Sequence, residues 1–351
     1  MAWRLRPLFF SVFALLAACA APDYVPGPDL DSSESIPESV DLAASDPYLA
    51  FEGLAPVALW HRLDTAAFTD VPLSPPENYY FDIDTSSPVA LRETLHARIR
   101  DHTVFRYTNP TQPGDPNHKV DTWDIIALAD AHPEDPAQVL DVYRNGTFER
   151  QLTGPSHDPR YDREHSWPKS LGFDAETLSN PPYSDVHHLF AAFSSYNRSR
   201  GDKPYGISDF DEERERATVE NIGVGGPLTE RLDSSNFSFI DVWQTWIGRR
   251  GDVSRAMFYM DVRYEGDLYG VESEPNLELT DDLDSIKGAD VWRTGGVAFM
   301  GLLSVLLDWH EQDPVDDLER RRNTVVYLFQ GNRNPFIDHP EWVGVIYGVD
   351  E

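Results

Sequence analysis

Two short polar motifs constrain the fold of this chain more than any other feature. The first is the run Arg163-Glu164-His165-Ser166-Trp167-Pro168-Lys169-Ser170, and the second begins at Asp185, twenty residues after the histidine, and includes His187 and His188. A loop with two adjacent prolines separates them, and a stretch that contains Asn197 follows. This order predicts two strands joined by a loop and followed by a helix, a unit that brings residues from all three parts together.

The pattern also predicts boundaries for this unit. We expect residues 163–166 to end the first strand, 185–189 to form the returning strand, and 190–199 to form the helix. Asn197 then shares a helix face with two phenylalanines, which aims its amide toward the packed side. An inward amide needs a partner, and a metal ion held by Glu164 would supply one. The alternative is an asparagine that binds backbone carbonyls.

The residue types in the motifs are those needed to hydrolyse a phosphodiester with one metal ion. Glu164 and Asn197 are candidate oxygen ligands for a hard divalent cation, Mg²⁺ first, with Mn²⁺ or Ca²⁺ as alternatives. His165 is the candidate general base that activates water. The candidate phosphate-binding cations are Arg163, Lys169, Arg200 and Arg255.

The second motif also permits a zinc interpretation, in which His165, Asp185, His187 and His188 converge on one ion. Adjacent residues on a strand point to opposite faces, so His187 and His188 are poorly placed to share an ion. The sequence also lacks the His-Glu-x-x-His signature of a metalloprotease. We therefore expect Asp185, His187 and His188 to support the site structurally.

The ordered set of motifs resembles the endonuclease I family of secreted bacterial nucleases, a member of the ββα-metal, or His-Me finger, group. The resemblance covers roughly residues 76 to 349. Its further landmarks are Glu77-Asn78-Tyr79-Tyr80, Val142-Tyr143, Gly251-Asp252-Val253-Ser254-Arg255, Trp309-His310-Glu311-Gln312-Asp313-Pro314 and the run from Gln330 to Pro340. It implies cleavage of DNA and of RNA as a further substrate, without sequence specificity, leaving 5′-phosphate ends.

Two departures from that family's pattern concern phosphate binding. Phe190-Ala191 follows the second motif where many relatives carry a basic or branched residue and then proline. Residues 171–184 contain no Lys or Arg, whereas some relatives have an arginine there that steadies the cleaved phosphate. Lys169, Arg200 or Arg255 would have to take its place, unless these are solvated surface charges.

The chain begins with features of an exported lipoprotein. Residues 1–18 have a short basic start and an apolar stretch too short to span a membrane, which predicts a signal peptide. Cys19, the only cysteine, directly follows and is the expected lipidation site, so no disulfide is expected. The composition of residues 19–48 predicts a disordered, acidic tether that contains Pro and Ser. Residues 49–75 are apolar enough to dock on the main body, and their role stays open. Residues 76–351 predict one nuclease domain.

The charge of the chain is unusual for a protein that approaches a polyanion. The 60 acidic and 29 basic residues give a net charge of −31, which argues against tight, static binding of nucleic acid. Between residues 160 and 203, however, basic and acidic residues are equal in number. The site is therefore expected to be neutral by count on an acidic body.

Hydrophobic periodicity predicts a mostly helical α+β domain that contains the ββα unit. We expect a helix over 91–100, a strand ending within 136–142, and a third segment, helical, over 252–259. A buried helix is expected over 297–310, and a last helix should begin at Pro314 with Asp313 as its cap.

Three functions remain open from the sequence. The first is an exported, membrane-anchored, metal-dependent nuclease that acts in the periplasm, on the cell surface or after release. The second is a surface lipoprotein whose nuclease-like fold serves as a binding or adhesion module, and the third is a metallophosphatase. The presence of Glu164, His165 and Asn197 together favours the nuclease, and no feature predicts a protein partner.

Overall fold

The fold was analysed in a computed structural model, which describes residues 46–111, 115–144, 146–150, 161–207, 236–269, 272–288 and 296–348. These ranges belong to one compact unit, Ala43–Glu351. Within them no helix has the length and apolar character that crossing a membrane requires. The predicted signal peptide, Cys19 and most of the predicted tether lie outside the described residues.

The described part of the chain is α+β, with helices dominating, as predicted. Its helices are α1 Pro56–Asp64, α2 Pro88–Ile99, α3 Thr122–Ala129, α4 Ser194–Arg200, α5 Arg250–Arg263, α6 Leu283–Lys287, α7 Leu303–Gln312, α8 Asp317–Gln330, α9 Pro335–Asp338 and α10 Trp342–Tyr347. Its strands are β1 Gln138–Leu140, β2 Thr147–Glu149, β3 Tyr161–His165, β4 Leu189–Phe193, β5 Phe237–Ser238, β6 Trp243–Gln244, β7 Leu268–Tyr269, β8 Glu272–Ser273, β9 Asn276–Leu279 and β10 Val297–Met300. The strands form separate two-stranded sheets: β1 pairs with β2, β3 with β4, β5 with β6 and β7 with β8, all antiparallel, whereas β9 and β10 pair in parallel.

The helix α5 lies at the centre of the larger core. All its residues are buried, and it packs against α2, α7, α9 and β9. A helix buried on every side must satisfy its polar side chains internally. Arg263 accordingly pairs with Glu274 at 2.7 Å, and Asp261 pairs with Arg92 at 2.6 Å.

A second core forms around α1, α3 and α8, and it explains the N-terminal extension. Phe51, Leu59, Leu63 and Val71 are buried in this core, so the segment 49–75 docks on the main body. Tyr48, just before this segment, also contacts the main body, because its hydroxyl accepts a hydrogen bond from Arg333 at 3.1 Å.

Local capping explains where the helices near the site begin. Ser87 caps α2 by accepting a hydrogen bond from the Ala90 amide, and proline occupies the first helical position. Asp121 and Asp124 form a reciprocal capping box at the start of α3. These caps fix α3 next to the hairpin, because its apolar residues pack in the same core as Leu189 and Ala191 of β4.

Several predicted elements hold, and two are wrong in their boundaries. The helix near 91–100 is α2, the strand within 136–142 is β1, and the helix over 252–259 is the middle of α5. The single helix over 297–310 was wrong, because 297–300 instead form β10, whose hydrogen bonds to β9 replace helical ones. Asp313 ends α7, and the last predicted helix begins later, as α8, with Asp316 as its cap.

Candidate active site

The first motif lies on the antiparallel pair β3–β4. Glu164 faces Phe190 across the pair, and His165 faces Leu189. The predicted order of strand, loop, strand and helix is therefore present, with α4 directly after β4. Two boundaries were wrong: residues 186–188 form a 3₁₀ turn instead of a strand, and 190–193 form a strand instead of a helix, because they hydrogen-bond to β3.

Glu164 is buried and held by two side chains through one of its oxygens. Its Oε1 accepts hydrogen bonds from the Tyr143 hydroxyl at 2.7 Å and from the Arg200 guanidinium at 2.8 Å. Its Oε2 has no partner among the described residues. Burial raises the pKa of Glu164 to about 7, although Arg200 and the Tyr143 hydrogen bond lower it in part. The carboxylate is thus fixed in orientation with one oxygen left to bind a ligand.

His165 is held as a neutral imidazole in a defined tautomer. Its Nε2 lies 2.9 Å from the Tyr183 carbonyl, which can only accept, so Nε2 carries the proton and Nδ1 has the lone pair. Burial lowers the pKa of His165 well below its usual range, and His188 adds to this effect. No hydrogen bond to Nδ1 is found in the described part of the chain. The imidazole is therefore an unprotonated base with its acceptor nitrogen available.

Asn197 lies on α4 and brings an amide to the same place. Its side chain makes no hydrogen bond to the described residues, although its backbone carbonyl binds the Gly201 amide at 2.9 Å. Gly201, with φ of 58° and ψ of −129°, ends the helix in a conformation that a side chain disfavours. The half-buried Asn197 side chain therefore lacks the backbone partner that the alternative interpretation required. It does not share a helix face with Phe190 and Phe193 as predicted, because those two residues lie on β4.

Glu164, His165 and Asn197 line one cleft of about 460 Å³. The remaining residues along it are Tyr107, Trp123, Asp162, Arg163, Pro168, Lys169, Ser170, Gly201 and Asp202. Among the described residues, no three His, Cys, Asp or Glu side chains converge in a way that could hold an ion. This arrangement argues against the three-ligand zinc site and leaves one carboxylate and one amide as the candidate ligands.

Two of the four predicted phosphate-binding cations line the cleft. Lys169 is an exposed residue, and its Nζ donates to the Tyr183 hydroxyl at 2.9 Å, a neutral partner that leaves its charge available. Arg163 is buried, and its guanidinium donates to the Tyr107 carbonyl, to Thr122 Oγ1 at 2.8 Å and to Thr108 Oγ1 at 2.9 Å. Of these two, Lys169 is the better placed to bind a phosphate.

The structure corrects the prediction for the other two cations, Arg200 and Arg255. Arg200 is 0% exposed and donates to Glu164, to the His165 carbonyl at 2.9 Å and to the Ser166 carbonyl at 2.6 Å. Arg255 is 1% exposed and binds both carboxylate oxygens of Glu319, at 2.7 and 2.6 Å. Neither guanidinium can reach a phosphate in this structure, because each is enclosed and already paired.

Asp185, His187 and His188 lie behind the cleft, in the core. Asp185 accepts hydrogen bonds from the hydroxyls of Tyr259 and Tyr264 at 2.7 and 2.8 Å. The Nε2 atoms of His187 and His188 donate to different backbone carbonyls, those of residues 332 and 182, at 3.0 and 2.7 Å. Burial lowers the pKa of both imidazoles to about 4. Neither imidazole lines the cleft.

Comparison with known proteins identifies the family of this chain. The family model described as Endonuclease I matches residues 89–341, more than half of the chain. The chain belongs to the endonuclease I family. The resemblance inferred from the motifs is thereby confirmed, and this member of the family is a nuclease.

Two curated relatives share most of its length. The extracellular ribonuclease of Bacillus subtilis (strain 168) is 35% identical over 277 residues, which cover 79% of this chain and 80% of the relative. The extracellular ribonuclease of Bacillus amyloliquefaciens is 34% identical over 300 residues, covering 85% of this chain and 87% of the relative.

Sequence reasoning missed several residues of this endonuclease I site. Tyr143 was noted only as part of a family landmark, and its hydrogen bond to Glu164 was not predicted. Tyr183 supplies the carbonyl that orients His165, and the two prolines before it were noted only as loop residues. Tyr107 and Trp123 line the cleft from distant parts of the chain. No local sequence signal identifies them, because their position depends on how α3 packs.

Proposed function

We propose that this protein is a metal-dependent endonuclease that hydrolyses phosphodiester bonds of DNA and RNA and leaves 5′-phosphate ends. The observation that carries the proposal is the free Nδ1 of a neutral, fixed His165 in the same cleft as the free Glu164 oxygen and the free Asn197 amide. A binding or adhesion module would not require a base held in one tautomer beside two unpaired oxygen ligands.

The residues present fit a divalent cation of the Mg²⁺ type. Mg²⁺ prefers oxygen ligands and keeps several waters, so one carboxylate oxygen and one amide oxygen suffice from the protein. Glu164 offers Oε2, and Asn197 offers an amide without a protein partner. When bound, the cation would neutralise charge on the scissile phosphate and on the departing 3′ oxygen.

The side chains of this chain perform the remaining steps. His165 takes the proton of the attacking water at Nδ1, while the Tyr183 carbonyl holds Nε2–H and keeps the ring in place. Lys169 binds a phosphate oxygen of the substrate through its ammonium group. Tyr143 and Arg200 do not touch the substrate; they hold the Glu164 carboxylate in position.

The relatives bear on the substrate and the location. Both are named extracellular ribonucleases, which supports RNA as a substrate and supports export of this protein. We propose that residues 1–18 direct export and that Cys19 is lipidated, which would hold the enzyme at a membrane. Both features lie outside the described residues.

The test of the nuclease function is digestion of supercoiled plasmid and of single-stranded RNA by the purified protein, with Mg²⁺ and with EDTA. We expect cleavage with Mg²⁺ alone and a loss of turnover of about 10² or more in His165→Ala, the usual contribution of a general base. Metal affinity measured by calorimetry should be nearly unchanged in that variant.

A matched control is His61→Ala, because His61 is exposed on α1 and does not line the cleft. It should cleave as the wild type does. No cleavage by the wild type with any divalent ion would favour the binding module. Faster hydrolysis of a small phosphomonoester than of a polynucleotide would favour a phosphatase.

A further inference from the structure

Two aromatic side chains that the proposed chemistry does not use line the cleft beside its base. Tyr107 and Trp123 are both partly exposed, and both lie along the cleft. The Tyr107 ring stacks on His165, with ring centroids 5.4 Å apart and planes inclined by 28°. Trp123 is the second residue of α3, whose start is fixed by the capping box of Asp121 and Asp124. The two rings are therefore held by the fold beside the reacting groups.

Arg163 joins the two rings into one unit. Its Cζ atom lies 3.3 Å from the Tyr107 ring centroid and 4.1 Å from that of Trp123. Both rings therefore contact the same guanidinium. The hydrogen bonds of Arg163 to Thr122 and Thr108 fix the guanidinium in this position. From Trp123 through Arg163 and Tyr107 to His165, successive contacts link these four side chains into one stack that leads to the proposed base.

The outer member of this stack is equipped to bind a ligand. The Trp123 indole N–H makes no hydrogen bond to the described residues. It is also not a buried atom without a partner, so it remains in contact with solvent. A partly exposed ring with a free donor, next to a phosphodiester-cleaving site, fits a nucleobase, which offers a π face and acceptor atoms.

We propose that Trp123, backed by Arg163 and Tyr107, is a base-stacking subsite that directs this enzyme toward single-stranded nucleic acid; the proposal rests on the proposed function. In a duplex both faces of each base are covered by neighbouring bases, so a base reaches an aromatic ring only from a single strand or after leaving the stack. Stacking on a ring accepts every base, which agrees with an absence of sequence specificity. The subsite also attracts substrate without requiring a basic groove, which suits a chain of net charge −31.

The test compares three substrates of identical length: a single-stranded oligonucleotide, the same strand annealed to its complement, and the same strand with abasic positions. We expect the wild type to show the highest kcat/KM on the single strand with bases. Trp123→Leu should lower that value by about 5- to 150-fold, the contribution of stacking one base on an aromatic ring. It should change kcat/KM for the abasic strand little. Trp123→Phe, which keeps a ring but lacks the N–H, should be intermediate.

The matched control is Trp60→Leu. Trp60 is also a half-buried helical tryptophan near an arginine, with Arg150 Cζ 5.7 Å from its ring centroid, but it does not line the cleft. This variant should treat all three substrates as the wild type does. An equal loss of kcat/KM on all three substrates in Trp123→Leu, or no loss on any, would overturn the subsite.

Binding separates this inference from the nuclease function itself. Fluorescence anisotropy in EDTA measures the affinity for the same labelled strands without cleavage. We expect the wild type to bind the strand with bases more tightly than the abasic strand, and Trp123→Leu to lose that difference. If the wild type cleaves nothing but shows this preference, the nuclease proposal fails and the subsite stands. If it cleaves but shows no preference in binding or rate, the subsite fails alone.

Discussion

Replacing Arg200 with methionine tests whether this arginine is structural, as the fold shows, or binds phosphate, as its sequence position predicted. Arg200 is fully buried and donates to Glu164 and to the carbonyls of His165 and Ser166. Methionine fills a similar volume but donates nothing. The variant therefore leaves two enclosed carbonyls without donors and the carboxylate without its counter-charge.

The magnitude follows from those lost contacts. Each enclosed carbonyl left unpaired costs about 1–3 kcal/mol, and removing one partner of a buried ion pair typically costs 3–5 kcal/mol in all. We expect Arg200→Met to lower the free energy of unfolding by about 4 kcal/mol, measured by urea titration in EDTA at pH 7. Arg200→Lys should lose less, because an ammonium keeps the charge but reaches fewer of the acceptors.

The pH dependence of this loss gives a sharper signature. Burial raises the pKa of Glu164 to about 7, and removing Arg200 raises it further. A carboxyl whose pKa is raised on folding destabilises the folded state above its unfolded pKa, and this cost grows until the pH reaches the folded pKa. The cost therefore stops growing near pH 7 in the wild type and continues to higher pH in Arg200→Met, so the loss caused by the substitution should grow between pH 6 and 9, by on the order of 1–2 kcal/mol. In a Glu164→Gln background, which has no such proton, this growth should vanish.

A specific result would refute the structural role of Arg200. The free energy of unfolding of Arg200→Met could lie within about 1 kcal/mol of the wild-type value while kcat/KM on polynucleotides falls. In that case the guanidinium is free to bind phosphate. Arg200 would then bind phosphate, as its position in the sequence predicts.

Three further outcomes are expected. Burial lowers the pKa of His102 and His187 to about 4 against the opposing charge of Asp185, so both are neutral when folded. Their contribution to the free energy of unfolding is complete above pH 6.5 and is lost as the pH falls toward 4, by about 2 kcal/mol per imidazole at pH 5. Urea titrations that show no such fall would contradict this. Asn197→Ala should weaken Mg²⁺ binding in calorimetry while Asn197→Asp retains it, and wild-type affinity in Asn197→Ala would remove this residue from the ligand set. Cys19→Ser should abolish labelling by a fatty-acid analogue, and equal labelling would eliminate the lipid anchor.

The sequence alone determined the chemistry-bearing motifs and the kind of protein. Glu164 and His165 are adjacent, and the spacing to Asn197 predicted a strand, loop, strand and helix, which the fold contains. Such local order is readable because hydrogen-bond periodicity and turn residues act over a few positions. The boundaries within 185–199 were not readable, because pairing with β3 overrides the helical pattern of this stretch.

Only the tertiary structure decided which cations can meet a substrate. Arg255 of the central helix α5 is enclosed because it pairs with Glu319 of α8, 64 residues away in sequence, and Arg200 pairs with Glu164, 36 residues before it. The stack of Trp123, Arg163 and Tyr107 likewise joins three separate segments. The amino-acid sequence does not distinguish an arginine that is solvated from one that is paired with a carboxylate or packed against aromatic rings. Its role is fixed by desolvation and by partners that long-range packing supplies, and the local sequence does not encode these.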